Sequence, residues 1–376
     1  MRIGTAFHIE DENAHHAVGP LLLPAATYVA SLDLLVQTFP YDYRLPGLIE
    51  LVNGSPAFVD ALLGVSCRAD WQIEKWDAEV IRYRPDMRAM VRIEVLARAK
   101  NSEEIVARKA FAKVYREEGE GRQAFRLLEA LWEKTSGDDF GFVVPRPITY
   151  VDAQQTLLMR EARGTRLLQR VRKDDPAKVV HAIRLAARAI AGMHQLSLPE
   201  GMLPLARLDK VRQLSNVANT LAEYSPAHVA AIDELVLDIG RALGTGALAP
   251  THFDLKQGQI LLDDSRVTIL DFDKMALGDP LVDVANIVAT LRAEREGSNA
   301  RVERRAGLAE AFIDEYFTHV PASWRDRFPA QFALATLVEA GTTGRGQRGR
   351  PEIVNRADRV ASAIVHAQQV LAGNIN

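Results

Sequence analysis

"HFDLKQGQILL", residues 252–262, is the stretch on which the reading of this chain turns. His252, Asp254 and Gln259 stand in a polar run that passes into the apolar "QILL", so the segment reads as a loop feeding a short strand. A His-x-Asp pair alone is common by chance and carries little weight. Two other features give it weight by their order. Upstream, "FAKVY" places Lys113 in a strand-like run. Downstream, "ILDFD" places Asp271 and Asp273 at the end of a second short strand.

Composition bounds the rest. The chain has 376 residues, 48% hydrophobic and 25% charged, enough for two or three packed units. Lys+Arg number 46 against Asp+Glu 49, a net charge of −3, without the basic excess usual in nucleic-acid binders. The single cysteine, Cys67, forms no internal disulfide and no Cys-rich zinc site. The apolar segment 19–39 is interrupted by Pro24 and Asp33 and lacks a basic leader. It is expected to be core-facing structure rather than a signal or a span, which would need about 20 unbroken apolar residues. A soluble, cytoplasmic protein is expected.

Residues 1–70 carry helical spacing broken by Pro46 and Gly54 and are expected to form an N-terminal extension, mostly helix and loop. From Trp71 the texture changes. "WDAEVIRYRP", "RAMVRIEVLARA" and "IVARKAFAKVYRE" are β-rich runs, separated by "PDMR" (Pro85 to Arg88) and "KNSEE" (Lys100 to Glu104). An amphipathic helix, "GRQAFRLLEALWEKTS", and two further strands give β-β-β-α-β-β over 71–163. Beyond Gly164 the pattern is helical, with Asp175 and Pro176, then Ser225 and Pro226, as helix starts. The expected organisation is therefore α+β: an extension over 1–70, a sheet-plus-helix lobe over 71–160 and a mainly helical lobe over 161–376.

Phosphoryl transfer needs a cation on the phosphates, carboxylates for magnesium and a group that aims a hydroxyl. Lys113, Asp271 and Asp254 have the types, order and local structures for those tasks. Together with "LGDPLVDVANI" and the "LLM" strand leading into "REARG", these motifs resemble the aminoglycoside phosphotransferase and choline kinase family, a branch of the bilobal protein-kinase-like fold. The resemblance covers roughly residues 75–375 and is most specific between His252 and Ala285. It implies that Asp254 is the catalytic base or hydroxyl-orienting group. It also implies that Asp271, assisted by Asp273, binds Mg2+ and that Lys113 contacts the α- and β-phosphates. Met159 to Ala162 would line the adenine pocket, with main-chain groups of Glu161 to Arg163 bonding to the base. Asp279 and Asp283 would be architectural and His252 loop-shaping. His181 and His194 are expected to be packing or surface residues.

Three positions depart from the family pattern. Gln259 stands where the loop carries Asn; the same amide on a stem longer by about 1.5 Å takes the metal-ligand or the loop-bracing place. Gln123 stands about where a Glu would orient Lys113. The turn "RPDMRAM" lacks phosphate-cradling glycines, leaving Arg84 or Arg88 to supply side-chain contacts. A Gly-rich run with Arg345, Arg348 and Arg350 is either a solvated loop or an anion site.

The implied function is an ATP- or GTP-dependent, magnesium-using transfer of the γ-phosphate to a hydroxyl of a small molecule. An aminoglycoside-, sugar- or amino-alcohol-like acceptor is expected, with no nucleic-acid or membrane partner. The alternative is a nucleotide-binding pseudokinase or scaffold. "ILDFD" runs directly into "GDP", leaving no long activation loop for a protein-substrate kinase.

Overall fold

A computed structural model describes residues 26–64, 71–101, 103–137, 140–206, 210–244, 246–263, 266–293, 299–342 and 356–373. The chain divides into two compact units, Met1–Trp132 with Pro145–Ala162, and Glu133–Val144 with Arg163–Asn376.

The first unit starts with a hairpin of β1 (Ala26–Val29) and β2 (Leu34–Gln37), then α1 (Pro46–Val52) and α2 (Pro56–Leu63). Three long strands follow: β3 (Trp71–Arg84), β4 (Arg88–Ala99) and β5 (Ile105–Tyr115). Then come α3 (Glu118–Thr135), β6 (Pro147–Val151) and β7 (Thr156–Arg160). The sheet is antiparallel, in the order β3-β4-β5-β7-β6. The β-β-β-α-β-β succession read from the sequence is the observed one. Strand β4 shows why: buried and half-buried residues alternate along it, so Val91, Ile93 and Val95 all enter the core.

What covers that face was not legible. Leu48 and Leu51 of α1 and Phe58 and Leu62 of α2 join the same hydrophobic cluster as Val91, Ile93 and Val95. The Trp76 indole N–H also donates to the Leu51 carbonyl at 3.0 Å. The helices expected in an extension thus close the core of the sheet. The hairpin differs from expectation in a second way. Tyr28, Leu32, Val36 and Phe39 of the segment read as core-facing are exposed, and among the described residues β1 and β2 form a two-stranded sheet of their own.

The second unit continues with β8 (Thr165–Arg166), α4 (Leu167–Lys173), α5 (Pro176–His194), α6 (Lys210–Tyr224) and α7 (Val229–Leu243). Next come β9 (Ala249–Thr251), β10 (Ile260–Asp263), β11 (Arg266–Ile269) and β12 (Ala276–Gly278). The unit ends with α8 (Leu281–Ala293), α9 (Asn299–Phe317), α10 (Phe328–Thr342) and α11 (Arg356–Leu371). Helix α5 starts as its sequence predicts: Pro176 holds the first turn and the Asp175 carboxylate accepts from Ala177 N–H at 2.9 Å. Ser225 departs from that pattern. Its hydroxyl bonds to His228 Nδ1 at 2.7 Å, and a short 3-10 turn, Pro226–His228, precedes α7. Cys67 and the run carrying Arg345, Arg348 and Arg350 lie outside the described residues. No described helix is long and apolar enough to cross a membrane.

Candidate active site

The stretch 252–259 connects β9 to β10, and its backbone is held from outside. Asp283, in the first turn of α8, is fully buried. Its Oδ2 accepts from His252 N–H at 2.6 Å and its Oδ1 from Phe253 N–H at 2.9 Å. These two bonds hold Phe253 at φ +62°, a conformation costly for a bulky residue. Gly278 makes room for it, since a Cβ there would collide with the Phe253 ring. Asp279 is anchored in turn by Arg327 Nη1 at 2.6 Å and Gln331 Nε2 at 3.1 Å, and it accepts from Leu281 N–H at the start of α8. Each polar residue of "GDPLVD" thus supports the loop or the helix that follows.

His252 is buried and turned inward. Its Nε2 donates to the Leu270 carbonyl at 2.9 Å, while Nδ1 lies 3.4 Å from Asp254 N–H. It therefore ties the loop to the end of β11 and leaves the Asp254 carboxylate partly exposed. Two ammonium groups approach one oxygen of that carboxylate, Lys256 Nζ at 3.2 Å and Lys274 Nζ at 3.6 Å.

Asp271 follows β11 in the left-handed region, φ +69°, which Asp tolerates better than most residues. Gln259 connects it to the loop. The Gln259 Oε1 accepts from Lys256 N–H at 2.8 Å, and its Nε2 donates to Asp271 Oδ2 at 3.3 Å. The atom facing Asp271 is therefore a donor nitrogen, not a metal-ligating oxygen. In this orientation Gln259 braces the loop, tying the Lys256 backbone to Asp271. Asp271 and Asp273 supply hard carboxylate oxygens at one strand end, which suits magnesium, a cation held by one or two carboxylates together with substrate phosphates. Among the described residues, no group of three or more His, Cys, Asp or Glu side chains is placed to hold a metal by itself.

Lys113 lies near the end of β5 with 4% of its surface exposed. Its ammonium stands over the Tyr115 ring, 5.5 Å from the centroid. The ring is buried against Gly121 of α3, where a Cβ would press on both Tyr115 and Tyr150. Gln123 points to solvent on α3. Met159 pairs with Phe111 and Pro147 in the sheet. Glu161 pairs with Arg92 Nε at 3.1 Å, and Arg163 is exposed. Arg88 opens β4, paired with Tyr115.

Two residues of the loop's support escaped the sequence reading. His194, at the end of α5, is buried between Asp283 Oδ2 at 3.2 Å and the Tyr316 hydroxyl of α9 at 2.8 Å. Burial pushes the Tyr316 phenol far above its usual value, so it remains a donor. The chain then runs from Tyr316 O–H to His194 Nδ1, and from His194 Nε2–H to Asp283. A His closing the last turn of a helix carries no local signal of such a role.

The model of the phosphotransferase enzyme family matches residues 94–328. No curated protein matched in sequence. Among solved structures, an ethanolamine kinase of Plasmodium vivax is similar at 11% identity and TM-score 0.49, covering 87% of this chain and 89% of that one. A choline/ethanolamine kinase family protein of Mesorhizobium loti is similar at 14% and 0.48, covering 78% and 87%. A macrolide 2′-phosphotransferase of Brachybacterium faecium is similar at 18% and 0.45, covering 81% and 98%.

Proposed function

This chain belongs to the phosphotransferase enzyme family, with the kinase-like α+β fold, and from that premise we propose that it transfers the terminal phosphate of ATP or GTP to a hydroxyl of a small molecule. The observation that carries the reading is the presentation of Asp254: a loop clamped by Asp283 leaves its carboxylate partly exposed, and Gln259 of the same loop bonds to Asp271. In the proposed reaction the acceptor oxygen bonds to the terminal phosphorus as the bond to the nucleoside diphosphate oxygen breaks. The acceptor proton passes to Asp254 and then to solvent. Asp254 orients the attacking hydroxyl, which supplies positioning and proton acceptance together. Lys113, held over Tyr115, is assigned to the α- and β-phosphates. Arg88 is assigned to phosphate contacts, and Met159, Glu161 and Arg163 to the nucleotide base. Asp271 and Asp273 are assigned to magnesium, which when bound neutralises charge on the transferring phosphate. Gln259 is assigned to holding Lys256 and Asp271 in register.

The test is nucleotide binding by calorimetry, with single-turnover phosphate transfer to a panel of hydroxylated acceptors. Asp254→Asn is expected to keep nucleotide affinity and lower transfer by about 10²–10⁴-fold, the usual contribution of a positioned base. Unchanged transfer would reject the assignment. A pseudokinase is the second reading, favoured by the donor nitrogen that Gln259 turns toward Asp271. Nucleotide affinity that ignores magnesium, and is unchanged in Asp271→Ala, would establish that reading instead.

A further inference from the structure

The carboxylate assigned to the acceptor hydroxyl is surrounded by more positive charge than it can neutralise. Lys256 Nζ and Lys274 Nζ both lie on Asp254 Oδ1, at 3.2 and 3.6 Å. Two cations converge on one anion, and they come from different elements. Lys256 is in the loop itself, with its backbone N–H fixed by Gln259 Oε1. Lys274 ends the 3-10 turn Phe272–Lys274, whose Phe272 is buried against the His252 ring at 5.1 Å between centroids. Both backbones are braced, yet both side chains stay mostly in solvent, 65% and 58% exposed, against 24% for Asp254. Exposed ion pairs of this kind are weak, so a ligand displaces either ammonium from Asp254 at little cost. The reading above assigns Asp271 and Asp273, which follow β11, to the magnesium that accompanies the nucleotide.

We propose that the acceptor is itself an anion: a hydroxyl compound with a carboxylate or phosphate group near the hydroxyl, received by Lys256 and Lys274. The inference rests on the phosphotransferase reading, since it needs Asp254 to meet the acceptor hydroxyl. An anionic group beside that hydroxyl lies within reach of two flexible donors and gains charge-assisted hydrogen bonds. A polyammonium acceptor meets like charge at the same place and is disfavoured. The lysines therefore select against the aminoglycoside- and amino-alcohol-like acceptors that the sequence motifs suggest.

The experiment is calorimetric titration of the full chain loaded with magnesium and a non-hydrolysable ATP analogue. The probes are glycerate, glycerol 3-phosphate, ethanolamine and kanamycin. At least one anion is expected to bind about tenfold more tightly than either cation, the equivalent of one charge-assisted hydrogen bond. The arm that responds, carboxylate or phosphate, identifies the anionic group. Lys256→Met and Lys274→Met are each expected to weaken the anion about fivefold or more while leaving analogue affinity within about twofold, and Lys256→Arg to restore most of it. Equal or tighter binding of a cationic probe overturns the proposal, as does binding of no probe at all. Lysine effects that fall on the analogue instead of the probe also overturn it, because they make the pair a ligand of the transferred phosphate. Failure of the wild-type chain to bind the analogue removes the phosphotransferase reading and this proposal together. Analogue binding without an anion preference removes this proposal alone.

Discussion

Two loops in this molecule are held by the same device, and they differ in how visible it is. In the second unit, buried Asp283 accepts from His252 N–H and Phe253 N–H and holds Phe253 at φ +62°. In the first unit, the turn between β3 and β4 is held by Asp42, 4% exposed. The Asp42 Oδ2 accepts from Tyr83 Oη–H at 3.0 Å and from Asp86 N–H at 2.9 Å, with Asp86 at φ +60°. Its Oδ1 accepts from Arg44 N–H, which fixes the carboxylate itself. In both cases a buried carboxylate from elsewhere in the chain stabilises a left-handed residue that local preference disfavours. The turn "RPDMRAM" lacks glycines, and this clamp gives it a defined shape without them. The difference lies in direction and reinforcement. Asp283 comes from the helix after its loop and is backed by His194 and Tyr316, whereas Asp42 comes from a segment 44 residues before Asp86.

That comparison is best challenged by removing each clamp. Asp283→Ala leaves two N–H groups and His194 without their acceptor in a fully buried place. A loss of about 3–5 kcal/mol in urea denaturation is expected, with phosphate transfer lost as well. Asp42→Ala is expected to cost about 1–3 kcal/mol and to weaken nucleotide affinity while sparing the transfer step at saturating nucleotide. Stability lost without any change in nucleotide affinity would show that the two clamps serve different ends. Burial, then the neighbouring Asp42 charge, pushes the Tyr83 phenol well above its usual value, so its hydroxyl remains a donor to Asp42.

The reinforcement behind Asp283 is tested by Tyr316→Phe, which removes one hydrogen bond to His194. A cost of about 0.5–1.5 kcal/mol is expected in the same denaturation assay. A smaller, pH-dependent effect lies next to it on α9. The hydrogen bond from Arg188, followed by that from His319, holds the Glu315 carboxyl below its ordinary value of 4.5. A depressed folded-state value means stability that is present above pH 4.5 and lost as pH falls through the lowered folded value. Glu315→Gln is therefore expected to be less stable than the parent at pH 6–7, with the gap closing below pH 4.5. A gap that stays constant with pH would assign the effect to packing.

How much of this was legible depends on how far each contact reaches along the chain. The meander of β3, β4 and β5 was readable because its runs alternate in part at period 2 and short turns join them, whereas the place of β7 beside β5 was not. The candidate stretch was readable because His252, Asp254, Asp271 and "GDPLVD" lie within one short span in a fixed order. Asp42 was not, because an aspartate in "PYDYRL" has no pattern that relates it to a turn 44 residues later. His194 looked like any apolar-face histidine until α8 and α9 closed on it.

By itself the sequence determined the α+β class, the succession of strands and helices in the sheet unit, and Asp254 and Asp271 as candidate site residues. These rest on local periodicity and on spacing along the chain, which residue types alone express. Tertiary structure decided which way Gln259 turns its amide, that Lys256 and Lys274 share one oxygen of Asp254, and that α1 and α2 complete the core of the sheet. Those depend on the directions of individual bonds and on surfaces brought together from distant segments, and neither is written into the order of the letters.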